Sequence, residues 1–226
     1  IGYFLFEEET IMKKLVSLAL AAVLAVSAVG CGSSSDSSSS TADSAQSTEA
    51  AADGATFKIG GIGPITGGAA IYGQAVMNAA QMAVDKINAD GGINGYQVEF
   101  RFEDDEHDAE KSVNAYNTLK DWGMQMLMGT VTSTPCTAVS AKTEEDNMFQ
   151  LTPSGSAVES IAPANAFRVC FSDPNQGTAS AQYIGENKLA NKVAVIYNSS
   201  DVYSSGIYQT FATEAANQGF EVVAAE

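Results

Sequence analysis

The chain has 226 residues, with 27 acidic side chains against 11 basic ones and a formal net charge of −16. That acidity excludes a nucleic-acid binder, which needs a basic patch, and a surface that lies on anionic lipid. Cys31, Cys136 and Cys170 are the only cysteines and His107 the only histidine, so neither a disulfide framework nor a histidine-based metal cluster is available.

In chain order, residues 1–11 place Glu7, Glu8 and Glu9 where an export signal needs positive charge. They are expected to be a gene-call artefact, with Met12 the true start. Residues 12–30 have the plan of a secretory signal: Lys13 and Lys14, an apolar run from Leu15 to Val29, then Gly30 before Cys31. The run is short beside the roughly 20 apolar residues of a membrane span. The small residues ahead of Cys31 resemble a bacterial lipoprotein signal, which implies that Cys31 becomes the mature N-terminus and carries lipid. Residues 31–55 are rich in Ser, Ala, Asp and Thr and poor in large apolar residues, so they are expected to be a flexible tether. The implied location is outside the cytoplasm, lipid-anchored at the outer face of the bacterial cytoplasmic membrane or periplasmic.

From residue 56 the pattern alternates between strand and helix. Residues 57–62 read as a buried strand, and 72–87 as a helix with Val76, Ala79, Ala80, Ala83, Val84 and Ile87 near one face. Gly91, Gly92, Asn94 and Gly95 stop it. Residues 97–102 alternate as a strand does, and Asp108 caps a helix that ends at Gly123. Residues 124–131 form an apolar strand. Thr134 and Pro135 supply a cap and a proline at the first position of the next helix. Residues 149–152 form another strand, and Ser156 with Glu159 makes a capping-box pattern. Strand 192–197, helix 203–218 and strand 220–224 complete the alternation. The fold class is therefore α/β, with mainly parallel sheets covered by helices on both faces.

In such sheets ligands bind beyond the carboxyl ends of the strands. Three strand-to-helix loops carry candidate chemistry: Gly63 to Gly73, Thr132 to Pro135, and Thr152 to Ser156. The last two put hydroxyl and backbone N–H groups at helix starts, which favour an anion. Two such starts facing one crevice would hold a small carboxylate. No P-loop and no G-x-S-x-G elbow occurs, so neither a nucleotide hydrolase nor a serine hydrolase based on His107 is supported. The run Glu103 to Asp108 reads as a solvated strand end with a capping aspartate, not as an ordered calcium loop. No cofactor is implied.

Ile87 to Gly95, reading INADGGING, resembles the I-N-A-x-G-G-I-x-G signature of the branched-chain amino-acid substrate-binding proteins of ABC importers. Pro64 to Gly67 with Tyr72 and Gly73, the Thr152–Pro153 loop, Asp173 to Gly177 and Asp201 to Gly206 agree with that family in order and spacing. The resemblance implies a type I periplasmic-binding fold in which two α/β lobes close on a ligand without covalent chemistry. Residues 56–172 would form the first lobe, and 173–226 the hinge crossing and start of a second, truncated lobe. The resemblance assigns Ser133 to the ligand's α-carboxylate. It assigns the loop of Ser154, Gly155 and Ser156 to the α-carboxylate and α-ammonium, Tyr72 to the cleft rim and Tyr203 to a cover from the second lobe. The disulfide that some relatives carry near the positions of His107 and Thr132 is absent here. Implied partners are a small-molecule ligand, the permease and ATPase subunits of an ABC transporter, and the membrane through lipid on Cys31. A sensory module for a receptor, or a binder of amides, urea or aromatic acids, is the alternative.

Overall fold

A computed structural model describes Gly54 and residues 56–226; the expected export signal, Cys31 and nearly all of the tether lie outside the described residues. The elements in order are β1 (Thr56–Gly63), α1 (Ala70–Ala89), β2 (Gln97–Asp104), α2 (Ala109–Trp122), β3 (Met126–Gly129), α3 (Ser133–Glu145) and β4 (Gln150–Thr152). A 3₁₀ turn (Val158–Ile161), β5 (Ala166–Arg168), α4 (Asp173–Glu186), β6 (Lys192–Val195), α5 (Val202–Gln218) and β7 (Glu221–Ala225) follow.

The first five strands form one parallel sheet in the order β2-β1-β3-β4-β5. The chain winds outward from β1 in both directions, so β1 and β3 flank the topological switch point. The loops leaving their carboxyl ends therefore border a crevice. The core of this lobe gathers Ile62 and Leu127 from the central strands with Ala115, Tyr116 and Leu119 of α2 and Val139 of α3. Tyr116 is fully buried, and its hydroxyl donates to Asp146 at 2.8 Å, which satisfies its one polar group.

β6 and β7 form a separate two-stranded parallel sheet. Its core is Ala181, Phe211, Ala215 and Phe220, with Val193, Val195 and Val222 packed against it. α4 and α5 lie close together because Gly177 has no side chain. A Cβ there would stand 2.1 Å from Thr210 Oγ1 and 2.3 Å from Ile207 O.

The local signals hold with instructive exceptions. Asp108 caps α2 by accepting from Lys111 N at 2.8 Å, and Gly123 closes that helix in the left-handed region. Thr132, not Thr134, is the cap residue of α3, and Pro135 falls third in the helix. The capping box at Ser156 does not form: the segment makes a four-residue 3₁₀ turn whose cap position is Ala157, without a side-chain cap bond. β5 and α4 are elements beyond those the sequence pattern delimits. In α1 only Gly73 and Val84 are buried; Ala79 and Ala83 face solvent.

Candidate functional site

Three loops meet at the carboxyl edge of the first sheet. The β1–α1 loop is anchored by Asp104, the last residue of β2. Its Oδ1 accepts from Ile65 N at 2.9 Å and from Glu106 N at 3.0 Å, while Oδ2 accepts from the Thr66 hydroxyl. Partial burial works against the charge, but these hydrogen bonds together hold the Asp104 carboxyl below the usual carboxylate range. The acidic run at the end of β2 thus pins a loop as well as capping a helix. Gly73, at the first turn of α1, is required because a Cβ there would stand 1.9 Å from Pro64 O.

The β3–α3 and β4 loops are joined through Ser133. Its Oγ accepts from Ser156 N at 3.1 Å and from Ala157 N at 3.2 Å. Thr152 Oγ1 donates to Thr130 O at 2.6 Å and accepts from Gly155 N at 2.8 Å. Ser154 Oγ donates to Val131 O at 2.5 Å. Arg168 Nη1 donates to Ser156 O at 2.8 Å and to Ala157 O at 3.2 Å, bracing the loop from β5. The fold therefore brings Ser133, Ser154, Gly155 and Ser156 into one cluster. Ser133 and Ser156 are only 3% and 2% exposed.

Tyr72 and Tyr203 are placed differently. Tyr72 stands exposed on the first turn of α1, and its hydroxyl makes no hydrogen bond among the described residues. Tyr203 is partly exposed at the start of α5, and its hydroxyl donates to Gln176 Oε1 of α4 at 3.3 Å. It lines a cavity of about 280 Å³ within the second lobe, beside the stacked rings of Tyr197 and Tyr208. In this arrangement neither tyrosine covers the serine cluster.

Two carboxylates that the sequence reading left out of the site border the lobes. Asp201 caps α5, its Oδ2 accepting from Ser204 N at 3.0 Å and from Ser204 Oγ at 2.9 Å. Its Oδ1 accepts from Thr134 Oγ1 of the first lobe at 3.2 Å and lies 3.9 Å from His107 Nε2. His107 Nδ1 in turn pairs with Thr132 Oγ1 at 2.9 Å. His107 and Thr132 are thus linked by a hydrogen bond. Asp173, the first residue of α4, is 1% exposed, and its N–H donates to Ser156 O at 3.1 Å. It stands between the serine cluster and a cavity of about 310 Å³ that Glu159, Ser199, Asp201 and Gly206 help to line. The agreement of residues 173–177 with the family pattern was the signal that this segment mattered.

Cys136 and Cys170 are free thiols, Cys136 buried in α3 and Cys170 half-buried. Burial pushes both thiols above the usual range, so neither is poised as a nucleophile. Among the described residues no three acidic, cysteine or histidine side chains are arranged to hold a metal ion, and no helix is long and apolar enough to cross a membrane.

The profile of the periplasmic binding protein family matches residues 56–226. The chain belongs to that family. This periplasmic binding protein is 34% identical over 172 residues to the Leu/Ile/Val-binding protein homolog 3 of Brucella melitensis, an alignment covering 75% of the chain and 46% of the relative. It is 35% identical over 159 residues to the Leu/Ile/Val-binding protein BraC3 of Rhizobium johnstonii, covering 70% and 43%. Among solved structures it superposes with a TM-score of 0.70 on the branched-chain amino acid transporter substrate binding protein LivJ from Streptococcus pneumoniae in complex with isoleucine. Identity there is 29%, over 76% of this chain and 49% of that one. The chain spans about half the length of the relatives it matches. The type I periplasmic-binding fold expected from the sequence is the fold observed.

Proposed function

We propose that this protein is the extracytoplasmic substrate-binding component of an ABC importer, capturing a branched-chain or similar amino acid between its lobes for delivery to a permease. The observation that carries the reading is the hydrogen bonding of Ser133. A serine hydroxyl has one proton to donate and two lone pairs to accept with. Both lone pairs of Ser133 are directed at N–H groups, of Ser156 and Ala157. Its proton is left to seek an acceptor, and the start of α3 makes that acceptor favourable as an anion. A ligand α-carboxylate satisfies both demands. The loop of Ser154, Gly155 and Ser156 lies directly beside Ser133 on the same wall, and Tyr72 and Tyr203 are the rim and cover that would approach as the lobes close. A ligand touching both lobes favours the closed state by its differential affinity, and closure is the signal a permease reads. The names of the relatives support a branched-chain amino acid as cargo.

The reading places lipid on Cys31, so that the binder stays at the outer face of the membrane and its effective concentration near the permease rises. Titration calorimetry on the complete gene product tests the binding role. Ser133→Ala is expected to weaken L-isoleucine binding roughly 10-fold or more, since a charge-assisted hydrogen bond is lost. It also strands two buried N–H groups and should lower stability by roughly 1–3 kcal/mol. A folded Ser133→Ala protein with unchanged isoleucine affinity would remove the carboxylate from this position.

A further inference from the structure

His107, the only histidine in the chain, is carried to the seam of the two lobes by an unusual turn. Glu106 and His107 both take left-handed backbone, with φ of 50° and 62°. That conformation is unfavourable for a residue with a Cβ, and it persists where surrounding bonds impose it. Here Asp104 Oδ1 accepts from Glu106 N at 3.0 Å, Asp105 Oδ1 accepts from His107 N at 2.9 Å, and Asp108 N donates to Asp105 O at 2.8 Å. Lys111 Nζ pairs with Glu106 Oε2 at 2.6 Å. The turn leaves the imidazole between the lobes. Nδ1 pairs with Thr132 Oγ1 at 2.9 Å, and Nε2 lies 3.9 Å from Asp201 Oδ1. The same Asp201 oxygen accepts from Thr134 Oγ1 at 3.2 Å. Thr132 and Thr134 flank Ser133, so the loop that presents Ser133 is held by His107 on one side and by Asp201 of the second lobe on the other.

We propose that His107 and Asp201 form a proton-dependent latch between the lobes, which draws the second lobe onto the Ser133 loop when the imidazole is charged. Histidine changes charge between about pH 5 and 8, and the charged imidazole donates through both nitrogens. The Thr132 hydroxyl serves as donor or acceptor, so its bond survives either form. An ionised aspartate is an acceptor alone, and at 3.9 Å the Asp201 contact is a matter of charge rather than of a hydrogen bond. Protonation therefore strengthens the contact across the seam and leaves the one within the first lobe in place. The sign is that of a histidine gaining an anionic partner: the contribution is present at the acid end of the range and is lost as pH rises through it. His107 is a positioning residue in this scheme, acting through Thr132 and Asp201. A latch that favours the closed arrangement raises the population competent to hold a ligand between the lobes, and apparent affinity rises with it. The two side chains are 39% and 12% exposed, so water keeps the effect modest.

The charged groups around the pair are Asp104, Asp105, Glu106 and Asp108 of the same turn and Lys111 of α2. Beside Asp201 stand Asp173 of α4 and Glu159 of the 3₁₀ turn, which line one cavity with it. Burial pushes the Asp105 carboxyl up to about 6, so it changes charge in the same range as a histidine, and burial also raises Asp173. A double-mutant cycle separates the latch from these groups, whose contributions are common to all members of the cycle.

The test is urea unfolding, without ligand, of the complete gene product and of its His107→Gln, Asp201→Asn and double variants at about pH 5.5 and about pH 8. His107→Gln keeps a hydrogen-bonding group for Thr132 and Asp201→Asn keeps the cap of α5, but neither new side chain is charged. His107→Asn, better suited to left-handed backbone, replaces His107→Gln in the cycle if that variant does not fold. At the lower pH, Asp201→Asn should reduce the folding equilibrium constant roughly 2–5-fold more with His107 present than in the His107→Gln background. At the higher pH the two losses should coincide. No coupling at either pH, or equal coupling at both, would overturn the latch. Its consequence for the ligand rests on the function proposed above and is read by calorimetry with L-isoleucine. Between the two pH values, affinity should fall roughly 2–5-fold more in wild type than in His107→Gln. The same pH dependence in both proteins would overturn the link between latch and ligand. A wild type that binds neither isoleucine, leucine nor valine would overturn the proposed function, while the ligand-free cycle still decides the latch.

Discussion

Asp105 shows at a single residue how a buried carboxylate works against the fold that carries it. It is fully buried just after β2; Oδ1 accepts from His107 N at 2.9 Å while Oδ2 has no partner among the described residues. Burial pushes its carboxyl up to about 6, against an ordinary value of 3.8; the His107 N–H opposes this and the charges of Asp104 and Asp108 add to it. A raised acid takes up its proton more readily folded than unfolded. Its contribution to stability is therefore present below about pH 4 and is lost as pH rises to about 6. Asp105→Asn should be more stable than wild type by roughly 1–3 kcal/mol at neutral pH, with the gap closing towards pH 4. Urea unfolding at both pH values checks this, and a gap that does not change with pH would refute it. The clustering of Ser133 with Ser154, Gly155 and Ser156 was legible in the sequence because both turns leave the carboxyl ends of neighbouring parallel strands. Asp173 and Asp201 fell in family-like segments but were assigned no role in the site, because an aspartate beside a helix start looks like a cap. Only the folded chain shows that Ser172 caps α4 and that Asp201 turns its second oxygen to Thr134.

At the scale of elements, helix starts set both stability and lobe contact. Asp201 does two jobs with two oxygens: it caps α5 and holds Thr134. Asp201→Ala should cost about 1 kcal/mol through the lost cap and also weaken the lobe contact, whereas Thr134→Val should weaken the contact alone. Comparing the unfolding free energy and isoleucine affinity of the two variants separates these effects. Equal loss of stability in both would contradict the assignment of the cap. Gly177→Ala drives a methyl group into Thr210 and Ile207, so it should destabilise the second lobe by roughly 1–3 kcal/mol, with protease sensitivity rising first in α4 and α5. Undiminished protection of that helix pair would show that the two helices can move apart freely. Strands β1 to β4 of the first sheet were readable because their apolar or alternating runs are bounded by glycine and turn residues, whereas β5, only three residues long, was not delimited. α4 was not, since Asn175, Gln176, Gly177, Thr178 and Ser180 give it a weak apolar face, and its burial comes from the neighbouring α5. The cap of α3 was displaced by two residues because Thr132 takes the cap position, although its hydroxyl goes to His107.

Across the whole described chain there are two cores, one on each sheet, bridged by Thr134–Asp201, by the Asp173–Ser156 backbone bond and by the passage from β5 to α4. Two separately packed bodies with few polar ties at their seam are suited to hinge motion, and a ligand that bridges them shifts that equilibrium by its contacts in the closed form. The central claim is that the seam holds a zwitterionic amino acid. Thermal unfolding of the complete gene product, free of its signal and of Cys31, with and without saturating leucine, isoleucine or valine, tests it most directly. Ligand at about 100 times its Kd adds roughly 2.7 kcal/mol to the folded state, so the midpoint should rise by several degrees. A rise with an amide or aromatic acid but with none of the amino acids would contradict the claim while keeping the fold.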